Sequence, residues 1–209
     1  LGSAYKAINY IDKAILLYKK AIEIKPDFAE AHTNLGTLFK DIGNNKSAIN
    51  SFITALNLKP QLAEVHNNLA NLLVEKGDIT EAIDHFKKAI NLKPEIKEFH
   101  YNLGNIYLQK GEIQIAINSF KKATSIDSTY SEAFLNLGTC YDKVDELENA
   151  ISSYKKALDI NPNFQEAYGN LGVTLNKKGD LVGAINSYNK ALSLKNNSPN
   201  ILNNLGNAF

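Results

Sequence analysis

Histidine is the residue type in this chain best suited to metal binding, and three of the four histidines recur at one spacing. His32, His66 and His100 are separated by 34 residues each. On successive packed helices they would lie about 10 Å apart, whereas zinc holds each nitrogen ligand at about 2.0–2.1 Å. His85 stands apart, with no second ligand at helical spacing. We therefore expect the histidines to have packing roles, and we expect no metal site.

The single cysteine, Cys140, is the obvious candidate nucleophile. The equivalent positions, at multiples of 34 residues, hold Leu38, Leu72, Ile106 and Thr174. A small core residue is therefore the better interpretation. No His-Asp or His-Asn pair can be assigned to the thiol, and no hydrolase, metalloprotease or phosphate-loop motif occurs. We expect neither catalysis nor a cofactor within residues 1–209.

Asparagine forms the most regular polar pattern in the chain. It recurs every 34 residues without exception, as Asn34, Asn68, Asn102, Asn136, Asn170 and Asn204. Asparagine is a mediocre helix residue because its amide competes for backbone hydrogen bonds, so this repetition calls for a reason. Two interpretations stay open. Either the amides bind a ligand, or they are copied by repeat duplication and bond only to a neighbouring helix.

The same 34-residue period extends to other residue types. We number its positions as slots, with Ala29 at slot 1. Slot 7 is always leucine, slot 8 is glycine except at Ala70, slots 20 and 27 are alanine, and slot 24 is aromatic. The prolines that close the period are Pro26, Pro60, Pro94 and Pro162. The chain is therefore a tandem repeat, and each repeat is one structural unit.

Each repeat contains two helical patterns. In residues 29–42 the apolar residues recur at spacings of three and four, as one face of an α-helix requires, and this pattern predicts helix A. A second pattern predicts helix B, which ends at a Lys-Pro or Asn-Pro pair. The turn between them needs a left-handed residue. We expect this residue to be Asn9, Gly43, Gly77, Gly111, Asp145 or Gly179 in successive repeats.

These slots resemble the signature of the tetratricopeptide family: a large residue, Leu-Gly, an aromatic, then Ala, an aromatic, Ala and Pro. The resemblance covers the whole chain. Complete repeats run 29–62, 63–96, 97–130, 131–164 and 165–198, with partial repeats at 1–28 and 199–209. The resemblance implies one all-α domain over residues 1–209, an α-solenoid coiled into a right-handed superhelix. It also implies a concave groove, lined by A helices, that binds an extended peptide or a partner protein.

Charge and hydropathy argue against other kinds of partner. All 23 basic residues are lysine, so the arginine fork that reads phosphate and guanine is missing. Lysine pairs late in helix B and glutamates early in helix A follow the preference of the helix dipole. No apolar run approaches the ~18 residues that cross a bilayer. We expect no specific nucleic-acid partner and no membrane, and the lone cysteine favours an intracellular, cytoplasmic location.

Groove residues separate the known kinds of tetratricopeptide protein. The carboxylate clamp of co-chaperones needs cations at slots 2, 5 and 6, whereas here slot 2 is glutamate in five repeats and slot 6 is asparagine. The unbroken asparagine series is more similar to the repeats that precede the catalytic part of O-linked N-acetylglucosamine transferases. Two hypotheses remain: a free-standing scaffold, or the substrate-recognition arm of such a glycosyltransferase, with its catalytic domain outside residues 1–209.

We expect the slot-6 asparagines to form the centre of a peptide-binding site. The predicted peptide-binding residues are Asn34, Asn68, Asn102, Asn136, Asn170, Asn204, Asn71, Asn105, Tyr101, Glu64 and Glu98.

The last segment of the chain is apolar, because Leu202, Leu205 and Phe209 lie on a helix A without its helix B. We expect end-to-end self-association there, because bare solenoid ends expose apolar surface. The lack of methionine and of a signal-like start indicates that the natural N-terminus lies upstream.

Overall fold

The computed structural model describes residues 2–195 and 198–208, with side chains from Tyr10 onward. These residues form twelve α-helices and no strand. Their bounds are α1 Gly2–Ile24, α2 Ala29–Asp41, α3 Asn45–Leu58, α4 Ala63–Lys76, α5 Ile79–Leu92, α6 Lys97–Gln109, α7 Ile113–Ile126, α8 Ser131–Lys143, α9 Leu147–Ile160, α10 Gln165–Lys178, α11 Leu181–Leu194 and α12 Pro199–Asn207. The predicted all-α class is confirmed.

The chain divides into two compact units, residues 1–95 and residues 96–209. In the first unit α2 packs on α3 and α4 packs on α5, and α3 also contacts α4. In the second unit the hairpins are α6 with α7, α8 with α9, and α10 with α11. There the successive A helices α6, α8 and α10 also contact one another. Within each unit, consecutive hairpins thus stack as in a solenoid, each using its neighbour to bury its apolar face.

Small residues let the two helices of a hairpin approach closely. A Cβ atom added to Gly36 would lie 2.7 Å from the Phe52 ring, and one added to Gly172 would lie 2.5 Å from the Tyr188 ring. The slot-24 ring therefore occupies the space that a slot-8 side chain would need. The alanines of slots 20 and 27 are fully buried throughout residues 48–191. Both sets are packing positions, as predicted.

Left-handed residues end helix A at the predicted slot. Gly43, Gly77, Gly111 and Gly179 have φ between 75° and 94°. Asp145 fills this slot in its repeat with φ 60°, the one non-glycine residue with positive φ among the described residues. Aspartate is one of the few side chains that tolerate this conformation, because its short polar group can bond locally.

The predicted turn at Asn9 is wrong. Helix α1 runs without a break through Asn9, from Gly2 to Ile24. Asparagine tolerates the left-handed conformation but does not require it, so the residue type at this slot allows the helix to continue. At 23 residues α1 is the longest helix among the described residues. Neither it nor any other helix in the described part of the chain is long and apolar enough to cross a membrane.

Candidate peptide-binding surface

All six slot-6 asparagines lie in A helices, and none is buried. In the first unit α2 and α4 carry Asn34 and Asn68, and in the second unit α6, α8, α10 and α12 carry Asn102, Asn136, Asn170 and Asn204. Asn34 is exposed and the others are partly exposed, whereas the leucine that follows each of the first five is buried. Within each unit, the amides therefore lie where the core meets solvent.

Asn136 on α8 is held by two residues of α6. Its Nδ2 group donates to Oδ1 of Asn105 at 2.8 Å and to the hydroxyl of Tyr101 at 3.3 Å. Its carbonyl oxygen, Oδ1, accepts no hydrogen bond from the residues that the structure describes. Asn136 thus does bond to a neighbouring helix, as one of the two interpretations expects. The same bonds also fix the direction in which Oδ1 is offered to a donor.

Aromatic packing in turn positions Tyr101. Its ring centroid lies 4.9 Å from that of Tyr130 and 5.8 Å from that of Phe120. The ammonium of Lys97 lies 4.8 Å from the centroid of the Tyr130 ring. Burial raises the pKa of Tyr130, and Tyr101 and the surrounding carboxylates raise it further, so its hydroxyl stays protonated. Tyr101 is a fixed support for Asn136 rather than a mobile contact.

The two predicted glutamates differ in their surroundings. Glu64 on α4 forms an ion pair with Lys93, and the hydrogen bond from this lysine lowers the pKa of the Glu64 carboxyl. Glu98 on α6 approaches Lys97 only to 3.9 Å, because that ammonium is paired with Asp127. The Glu98 side chain is 53% exposed. Its carboxylate is therefore the more available of the two for a cationic ligand.

The A-helix face of the first unit has a cation among its asparagines. Lys40 Nζ on α2 donates to Oδ1 of Asn68 on α4 at 3.3 Å. Asn71 lies about one turn further along α4 and is partly exposed. In the first unit Lys40 therefore already bonds the Asn68 oxygen that a ligand would need. The A-helix surfaces of the two units differ in this respect.

Two of the slot-4 histidines tie their helices to the preceding loop. Nε2 of His32 lies 3.1 Å from the carbonyl oxygen of Pro26, and Nε2 of His66 lies 3.0 Å from that of Pro60. These bonds explain His32 and His66 without a ligand, because each ring satisfies a carbonyl that follows the end of a B helix. Among the described residues, no group of three or more His, Cys, Asp or Glu side chains could hold a metal ion.

His85 is not solitary, contrary to the expectation from the sequence. Its Nδ1 atom lies 2.8 Å from Nδ1 of His66. Its Nε2 atom lies 4.0 Å from a carboxylate oxygen of Glu81, four residues earlier on α5. The sequence did contain a signal for this pair, because slot 23 is histidine in this repeat and serine in the other complete repeats. Those serines are Ser51, Ser119, Ser153 and Ser187.

Two other features lie away from the asparagines. Cys140 is fully buried, and burial raises the pKa of its thiol to about 12, which confirms the predicted core role. A surface cavity of about 520 Å³ between α3 and α4 is lined by Ile49, Leu72 and Glu75, among others. It contains none of the predicted peptide-binding residues.

Three family models of one kind of repeat together match nearly the whole chain. TPR repeat models match residues 2–43, 36–77, 70–111, 104–144 and 174–209. Tetratricopeptide repeat models match residues 131–164 and 153–186. The chain belongs to the tetratricopeptide repeat family. Its all-α solenoid of tetratricopeptide hairpins is thus shown by both sequence and structure.

Several solved structures share this fold. A MamA structure is 28% identical, with a TM-score of 0.74 over 78% of this chain and 95% of that one. YrrB, described as a TPR protein with an unusual peptide-binding site, is 24% identical, with a TM-score of 0.79 over 89% of this chain and 96% of that one. Pseudomonas aeruginosa pilF is 22% identical, with a TM-score of 0.80 over 99% and 94%. No curated protein sequence matches the chain.

Proposed function

We propose that the chain is a protein-interaction scaffold that binds an extended peptide along the A-helix face of its second unit. The observation that carries this proposal is the pinned amide of Asn136. Its two N–H groups are engaged by Asn105 and Tyr101, while Oδ1 is left to accept from a ligand. An oxygen whose direction is fixed in advance costs less ordering on binding than a freely rotating amide.

The ligand group that fits this oxygen is a backbone N–H. An asparagine amide pairs with peptide backbone whatever the ligand's side chains are. Each such bond contributes about 0.5–1.5 kcal/mol net, so useful affinity needs several. Asn102, Asn136 and Asn170 stand on packed A helices about 10 Å apart, which matches every third residue of a strand rising ~3.3 Å per residue.

Selectivity would come from the residues around the amides. Glu98 offers an exposed carboxylate beside Asn102, four residues away on α6, and we propose that it favours a basic side chain. We propose that Tyr101 and Asn105 form the part of the α6 surface that lies under the bound ligand. In the first unit we propose that Asn34 and Asn71 bind a ligand in the same mode, whereas the oxygen of Asn68 is already bonded to Lys40 and the charge of Glu64 is paired with Lys93.

The glycosyltransferase-arm hypothesis uses the same face. It differs from a free-standing scaffold only in what lies outside residues 1–209. A catalytic domain in the parent protein would turn the scaffold into a substrate-recognition arm, and its A-helix face would then bind the enzyme's protein substrates. The test below applies to both.

The proposal is tested by locating a bound peptide. Linear peptides selected on the chain by phage display are titrated into ¹⁵N-labelled protein, and the side-chain NH₂ signals of the asparagines are followed by NMR. We expect shifts for Asn102, Asn136 and Asn170, and none for Asn118 and Asn186, which are exposed on the B helices α7 and α11. Shifts confined to the B-helix asparagines would refute the proposal.

A further inference from the structure

His66 and His85 form a hydrogen-bonded pair inside the hairpin of α4 and α5. Their Nδ1 atoms are 2.8 Å apart and their ring centroids 5.0 Å apart. Nε2 of His66 also lies 3.0 Å from the carbonyl oxygen of Pro60. His66 is 6% exposed and the His85 side chain 13% exposed, so water is poorly placed to replace these bonds.

The partners dictate which nitrogen carries hydrogen. Because the Pro60 carbonyl can only accept, His66 carries hydrogen on Nε2, and its neutral ring then has the lone pair on Nδ1. His85 must therefore donate from its own Nδ1. This leaves the His85 lone pair on Nε2, 4.0 Å from Glu81. The bond between the rings exists only while at least one of the two Nδ1 atoms is unprotonated.

We propose that the His66 and His85 pair is an acid-sensitive lock that holds α4 against α5. The pair can take up one proton and keep the bond between the rings, because one hydrogen between the two Nδ1 atoms is still accepted by a lone pair. A second proton places hydrogen on both Nδ1 atoms and sets two N–H groups and two positive charges against each other across 2.8 Å. The bond then breaks, and this hairpin opens locally before its neighbours do.

The charges that face the pair stand on α5. Lys88 lowers the pKa of both histidines, whereas Asp84 raises that of His85, and Glu81 lies beside Nε2 of His85. In the surrounding loops, the lysines that follow helix B are already engaged by glutamates of their own repeats. These ion pairs are Lys59 with Glu30 and Lys93 with Glu64.

The direction of the pH effect follows from burial. Burial lowers the pKa of His66, and burial together with the charge of His66 lowers the pKa of His85 to about 4. In the open hairpin both histidines titrate near 6.5. The open state therefore binds more protons below pH 6.5, so the lock is complete above about pH 6.5 and is lost as the pH falls toward about 4.

Hydrogen exchange at two pH values tests the lock. Protection factors, corrected for intrinsic exchange, are compared for α4 with α5 and for α8 with α9, whose slots 4 and 23 hold Phe134 and Ser153. Between pH 7.5 and pH 5.0 we expect the protection of the first hairpin to fall about tenfold or more relative to the second.

Two variants separate the lock from general acid sensitivity. His85→Ser installs the serine of the other complete repeats, and we expect it to abolish the differential loss. His32→Phe removes the slot-4 histidine of a repeat whose slot 23 holds Ser51 rather than histidine, and we expect it to keep the loss. An unchanged differential loss in His85→Ser, or none in the wild type, would overturn the proposal.

A measurement on the unmutated protein covers the case in which His85→Ser does not fold. Histidine ¹⁵N NMR reports the tautomer and the titration of each ring. The lock requires hydrogen on Nε2 of His66 and on Nδ1 of His85 at pH 7.5, with the pKa of both rings below the ordinary histidine value. The opposite tautomers, or either ring titrating near 6.5, would contradict it.

Discussion

Asn136 on α8 donates a 2.8 Å hydrogen bond to Asn105 on α6, so two asparagines of adjacent repeats share one bond across successive A helices. Asn105 lies at slot 9 and Asn136 at slot 6. Both are partly exposed, and neither is part of the apolar core. The Asn136 amide therefore fits both interpretations of the asparagine series, because its N–H groups link two helices while its oxygen is presented to solvent.

Replacing Asn105 with alanine should weaken the second unit. Loss of the bond costs about 0.5–1.5 kcal/mol, while alanine returns a few tenths as the better helix residue. Asn118→Ala, at an exposed position of α7 in the same repeat, is the matched control, because it gains the helix preference of alanine without losing the bond to Asn136. Urea unfolding should place Asn105→Ala about 1 kcal/mol below Asn118→Ala. Equal stabilities would show that the bond is not formed in solution.

Two glycines of α10 should respond to alanine in opposite directions. A Cβ on Gly172 would lie 2.5 Å from the Tyr188 ring, and overpacking of this kind costs about 1–3 kcal/mol. A Cβ on Gly169 would make an ordinary 3.5 Å contact with Ile201, so Gly169→Ala should stabilise the helix by about 0.5–1 kcal/mol. Thermal unfolding of the two variants checks this. A destabilised Gly169→Ala with an unaffected Gly172→Ala would contradict the packing described for the hairpin.

The repeat slots explain why the hairpins were predictable and the polar contacts were not. Glycine at slot 8 and an aromatic at slot 24 are size-complementary whatever the neighbouring repeat is, so they identify a hairpin from sequence alone. The bond between Asn105 and Asn136 depends on how one A helix is rotated against the next, which residue spacing does not determine. The turn predicted at Asn9 is wrong because asparagine tolerates a left-handed conformation without requiring it, so its presence at this slot does not determine a turn.

The ion pair between Lys97 and Asp127 is another contact that the repeat spacing did not predict. In the first unit the corresponding bridges run from glutamate at slot 2 to lysine at slot 31, as in Glu30 with Lys59. The repeat 97–130 reverses the signs, with lysine at slot 1 and aspartate at slot 31. A count of charges over all repeats hides this exchange of signs. Because Lys97 pairs with Asp127, and slot 31 of this repeat holds no lysine, the Glu98 carboxylate stays exposed for a ligand.

Self-association through apolar surface stays a prediction. Leu202 on α12 is 51% exposed and Leu17 on α1 is 65% exposed, while Phe209, which the sequence also suggested, lies outside the described residues. Sedimentation velocity over a concentration series should show mass increasing with concentration, and Leu202→Gln should reduce the increase. A strict monomer at the highest concentration, or an increase unaffected by Leu202→Gln, would contradict this prediction.

The central claim is that the asparagines of the second unit bind peptide backbone, and one comparison of affinities tests it most directly. Asn102, Asn136 and Asn170 are replaced together by alanine, and the control replaces Asn118, Asn186 and Asn189, which are exposed on the B helices. Fluorescence anisotropy measures the Kd of a selected peptide for each protein. We expect the A-helix variant to bind about tenfold or more weakly and to stay folded, because the helix preference of three alanines offsets the loss of the bond between Asn136 and Asn105. The control should bind the peptide as the wild type does. Equal affinities for the two variants would contradict the claim.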